Sequence, residues 1–110
     1  MIKLAIATAI LAISCVTDAV AGSQGGQVVE LSVCSSDGLV YFKVSGGTRA
    51  NSPSCATANY WVIQNENSEA GKKQLALLLA ARISGQNITV LGENSCTRWA
   101  DGEDVKEIIM

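Results

Sequence analysis

SEAGKKQLALLLAARISGQNITVLG, Ser68–Gly92, reads as one helix followed by one strand, and the rest of the chain is arranged around that pair. Asn67 or Ser68 supplies a cap oxygen. Glu69 puts an anion in the first turn, where the helix dipole favours it, and Gly85 offers the left-handed residue that closes helices. These signals predict a helix of about sixteen residues. Leu75, Leu78, Leu79 and Arg82 or Ile83 recur at spacings of three and four, the mark of a core-facing stripe. Leu77, Ala80 and Ala81 fall off that stripe, so the apolar arc is wider than one barrel requires. Two readings are open. Long loops cover the remainder, or Leu77, Ala81 and Ser84 pack on a second copy of the chain, small residues allowing close approach. After Gly85, "NITVLG" alternates as a strand.

Upstream, "QVVELSVCSSDGLVYFKVSGG" predicts a hairpin. Val29, Leu31 and Val33 alternate with Glu30 and Ser32, Ser36-Asp37-Gly38 turns the chain, and Val40, Phe42 and Val44 alternate with Tyr41 and Lys43. The preceding "GSQGG" reads as flexible. A polar loop with Pro53 and Cys55 leads into "NYWVIQN", a third strand with Trp61 and Ile63 on one face and Tyr60 and Val62 on the other. Downstream, a polar loop holding Cys96 and Trp99 precedes "EDVKEIIM", a fifth strand or a short final helix. Three strands, a helix and two strands make a mostly β chain. The expected architecture is a five-stranded OB-fold-like barrel with its helix between strands 3 and 4, or alternatively a meander with a helix on one face.

Met1-Ile2-Lys3 places one positive charge before an apolar run from Leu4 to Val16, and Ala19-Val20-Ala21 is a small-x-small site. Together they predict a secretory signal over residues 1–21. The run falls short of the roughly 20 residues of a membrane span. "LAISC" offers a second reading, a lipoprotein anchored at Cys15. Either signal exports the chain, as a secreted or periplasmic protein with one domain over residues 22–110. Lys3 and Asp18 cancel, so the mature chain keeps the net charge of −2. That balance, without a basic patch, argues against nucleic acid or an acidic membrane as partner. Among the remaining cysteines, Cys55 and Cys96 both sit in polar loops and are expected to form a disulfide, whereas Cys34 follows the alternation of a strand. Cys34 then packs as a small hydrophobe or bridges two subunits.

The chain has no histidine. Ser-His-Asp and Cys-His catalytic sets and the common zinc sites are therefore excluded, and no metal, no cofactor and no enzymatic activity are expected. Glu93, Asp101, Glu103, Asp104 and Glu107 remain as candidates for a carboxylate pair, but acids clustered in this way read as a solvated face. Asn87-Ile88-Thr89 is formally a glycosylation triplet within a predicted strand. Tyr60, Trp99 and Asp101 are the residues best suited to a ligand: aromatic faces stack on sugar rings, and polar tips pair with hydroxyls. Trp61 is expected in the core, while Trp99 is either a lid over the disulfide or an exposed contact.

"VYFKVSG", "SCATANYW" and above all "LLLAARISGQNITVL" resemble the pentameric B subunits of bacterial AB-type toxins, most closely those of the subtilase cytotoxin type, over most of residues 27–92. The resemblance implies an OB-fold, a ring of five subunits whose helices line a pore, a catalytic A-type partner subunit and recognition of cell-surface glycans. The positions matching that family's sialic acid contacts hold Gly26 or Gln27, Ser45, and Leu91 or Gly92, which lack the groups that hold that sugar. A bacterial, secreted, non-catalytic binding module for a glycan or protein is thus the first expectation. A monomeric periplasmic or secreted interaction or inhibitor protein is the alternative.

Overall fold

The computed structural model describes residues 21–110. The expected signal over residues 1–21 and its Cys15 alternative lie almost wholly outside the described residues. Five strands close into a barrel in the order β1-β2-β3-β5-β4, with β1 Ser23–Val33, β2 Val40–Val44, β3 Trp61–Val62, β4 Asn87–Gly92 and β5 Glu103–Ile109. The single helix among them, α1 Glu69–Ser84, lies between β3 and β4 and packs on β1 and β5. This is the OB-fold-like arrangement expected from the element order. No helix among the described residues is long and apolar enough to cross a membrane.

The ends of α1 follow from local chemistry. Ser68 is the cap: its hydroxyl accepts the Gly71 N–H at 2.9 Å, and Gly85 closes the helix at φ 72° with its N–H on the Ala81 carbonyl. These contacts satisfy backbone groups that a helix end otherwise leaves orphaned. The burial along the helix corrects the expected division of its faces. Leu78 and Ala81 are fully buried and Leu75 and Leu77 lean on the core, whereas Leu79 and Ile83 are 47% and 85% exposed. The axis is rolled so that Gly71, Leu78 and Ala81 meet the barrel. Gly71 sits against the Asn65 carbonyl so closely that a Cβ would overlap it, which brings this edge of the helix inward.

Strand β1 is longer than expected, because "GSQGG" is not flexible. Ser23–Gln27 pair with Gln27's partner Asn87 through Leu91 on β4, and the second half of the strand pairs with β2. The glycines permit this by letting two chain segments cross: Gly26 has φ 146°, and a Cβ on Gly46 would overlap the Gly25 carbonyl. A bulge then leaves Val29 between the pairs Val28↔Val44 and Glu30↔Lys43. Val28 therefore enters the core, while Val29 is 49% exposed and Val33, at the strand end, is 61% exposed. Only Leu31 of the expected inward set stays packed against the core. A second bulge leaves Lys106 unpaired between Leu91↔Glu107 and Gly92↔Val105, so Val105 and Ile108, three residues apart, both point inward. The core comprises Val28, Val40, Phe42, Val44, Trp61, Ile63, Leu78, Ala81, Ile88, Val90, Val105 and Ile108. Segment 103–109 is a strand and not a helix.

Candidate functional site

The disulfide Cys55–Cys96 forms as expected, with the Cα atoms 6.1 Å apart, and ties the loop before β3 to the loop before β5. Cys34 is free and half-buried. The β4–β5 loop folds over the outer wall of the barrel, and buried acids hold it there. The Oδ2 atom of Asp104 accepts from the Ser95 hydroxyl at 2.9 Å, the Thr97 N–H at 2.9 Å and the Thr97 hydroxyl at 2.6 Å, and Oδ1 accepts from the Arg98 N–H at 3.3 Å. Glu103 points to the other side. It accepts the Gly22 and Asn94 N–H groups, each at 3.0 Å, and meets Arg49 at 3.2 Å. Both carboxylates are 0% exposed, which corrects the reading of these acids as a solvated face. A buried charge requires such a full set of partners. Glu107 alone of the β5 acids is exposed.

Inside the wall, Arg49 lies 3.9 Å over the Trp61 ring and donates to the Ala58 and Tyr60 carbonyls, while the Trp61 N–H donates to Gln24 at 2.8 Å. Burial lowers the Arg49 pKa from its ordinary value and the Glu103 charge raises it back in part. This network gives Trp61, fully buried as expected, both a packed ring and a satisfied N–H. A polar groove of about 490 Å³ opens beside it between Val44–Arg49 and Thr57–Asn59. Arg49, which lines it, is paired with Glu103, although its Nε has no hydrogen-bond partner among the described residues.

Outside the wall, the predicted ligand residues Tyr60, Trp99 and Asp101 come together. Trp99 stacks on Tyr60 with centroids 5.3 Å apart and planes 18° apart, and the Tyr60 hydroxyl donates to Asp101 Oδ1. Tyr41 completes the cluster, 5.3 Å from Tyr60 and 5.5 Å from Trp99. Tyr41 and Val62 are cross-strand partners on the outer face, and Val62 is fully covered. Gly102 makes this covering possible: a Cβ there would lie 2.5 Å from the Tyr60 ring and 2.7 Å from Val62. Burial and then the bonded Asp101 push the Tyr60 pKa up to about 12, so its hydroxyl stays a donor. Trp99 remains 39% exposed. It is thus packed on Tyr60 and Tyr41 and still displayed at the surface. Tyr41 was not among the expected ligand residues; an aromatic on the outward phase of a strand, between Val40 and Phe42, was the available signal.

The three residues expected at an interface are not brought onto one free surface. Ala81 is fully buried within its own barrel, Leu77 is half-buried against the core and only Ser84 is exposed. Ala76, Leu79, Ala80 and Ile83 form the exposed apolar face instead. Among the described residues no group of His, Cys, Asp and Glu is placed to hold a metal ion.

The chain is therefore a small OB-fold-like barrel with a disulfide-tied loop that carries an aromatic platform on its outer wall. It matches no family model, no curated protein and no solved structure.

Proposed function

We propose that the protein is an exported, non-catalytic binding module that recognises a glycan through Tyr41, Tyr60, Trp99 and Asp101. The observation that carries this reading is Trp99, 39% exposed yet held by stacking on Tyr60 and by a loop anchored to Asp104 and the disulfide. A ring held still in this way meets a sugar face with little entropy left to lose. The disulfide is compatible with export to an oxidising compartment. Titration of the protein against a glycan array, followed by tryptophan fluorescence, tests the reading. Trp99→Ala is expected to abolish binding with the circular dichroism spectrum unchanged; a binding-competent Trp99→Ala protein, or a silent array, would sink it.

The toxin-like assembly belongs to the same proposal and is supported by the outward apolar stripe Ala76, Leu79, Ala80 and Ile83, which a second copy of the chain would cover. A catalytic A-type subunit is the partner that such a ring would carry. Light scattering reads the subunit count, and Ile83→Glu is expected to dissociate the assembly. A strict monomer at micromolar concentration removes the ring and favours a monomeric interaction protein.

A further inference from the structure

The outer platform has a charge as well as a shape. Aromatic faces are electron-rich, and the acid beside them is not neutralised: among the described residues no lysine or arginine pairs with Asp101. Its Oδ1 takes the Tyr60 hydroxyl, and its Oδ2 takes no hydrogen bond from the described residues. The cation of this loop, Arg98, is already held 3.0 Å from Glu66 and 3.8 Å from Asp37. The outward cation of β2, Lys43, lies 3.6 Å from Glu30. Beneath the platform, Asp104 is bonded only to neutral donors. Arg98 is thus shared between Asp37 and Glu66, while among the described residues neither Asp101 nor Asp104 takes an ion pair. Such a surface repels an acidic sugar and attracts an ammonium group.

We infer that the Tyr41–Tyr60–Trp99 platform, with Asp101 at its edge, takes a cationic sugar, one whose ring stacks on Trp99 while its free amine meets Asp101. The inference rests on the reading of the platform as a glycan site and names the sugar class it selects. The amine is protonated, so it donates to a carboxylate oxygen that no described residue occupies, a charge-assisted contact that an N-acetylated sugar cannot make.

Titration of the intact, disulfide-bonded protein with three oligomers of equal length tests this: glucosamine, N-acetylglucosamine and galacturonate, in mildly acidic buffer of low salt. The glucosamine oligomer is expected to bind roughly tenfold more tightly than its acetylated counterpart, and the galacturonate oligomer not at all. Asp101→Asn is expected to erase the preference for the glucosamine oligomer over its acetylated counterpart. Raising the salt should shrink the same preference in the unaltered protein, which needs no variant to fold. Equal affinities, or tighter binding of the acetylated or acidic oligomer, overturn the cationic assignment and leave the glycan reading standing. Silence from all three overturns both.

Discussion

Trp61 is fully buried, with Arg49 above its ring and its N–H donated to Gln24, whereas Trp99 sits on the far side of the same wall, 39% exposed and stacked on Tyr60. Neighbouring acids divide in the same way: Glu103 serves the interior and Asp104 the outer loop. In the interior Gln24, Glu103 and backbone carbonyls are recruited to make a tryptophan and an arginine tolerable inside a small barrel, although the Arg49 Nε finds no partner among the described residues. On the outer face the polar groups fix the loop and leave the ring on view. The difference separates stability from recognition, and it can be broken experimentally.

Trp61→Ala is expected to cost about 3–5 kcal/mol in denaturant unfolding, the range for a large aromatic lost from a core. Glu103→Ala should be comparably harmful, about 3–5 kcal/mol, because it leaves Arg49 buried and unpaired. Combining it with Arg49→Met should recover much of that loss, and additive costs would show that the pair is not coupled. Removing the disulfide by Cys55→Ser with Cys96→Ser opens a loop with a sequence separation of 41 residues and should cost about 4 kcal/mol at most. Its sharper readout is the Trp99 fluorescence, expected to shift towards that of a solvated ring as the loop loosens. Trp99→Ala should cost only about 1 kcal/mol, the worth of an aromatic pair. A cost as large as that of Trp61→Ala would erase the contrast between the two rings.

The last effect is one of pH. Tyr60 holds its proton to about 12 in the folded protein, against an ordinary value of 10.0. The unfolded chain releases that proton first, so the contribution is complete below pH 10 and is lost as pH rises towards 12. Thermal unfolding midpoints across that window should fall less steeply in Tyr60→Phe than in the unaltered protein; parallel curves would place Tyr60 outside the cluster.

The helix, its caps and the strand Asn87–Gly92 were legible because their signals are local: an oxygen beside an N–H, a glycine at φ 72°, alternating residues. The pairing of Cys55 with Cys96 was legible because two thiols in polar loops of a chain expected to be exported have few other uses. Tyr60, Trp99 and Asp101 were picked by residue type, and the fold brings them together. Arg49 and Gln24 carried no such mark, since "GGTRAN" and "GSQGG" read as loop, and their roles come from elements far apart in the chain.

By itself, then, the sequence determined the order of elements, the barrel with its helix between β3 and β4, the disulfide and the aromatic candidates. Only the tertiary structure decided which residues of β1, β5 and α1 face inward. Bulges at Val29 and Lys106 shift the two-residue period of β1 and β5, and the roll of α1 buries Ala81 while exposing Leu79 and Ile83. A bulge or a roll is set by the partner strand and by close backbone contacts, at Gly46 and Gly71 above all, and those distances exist only once the chain has closed.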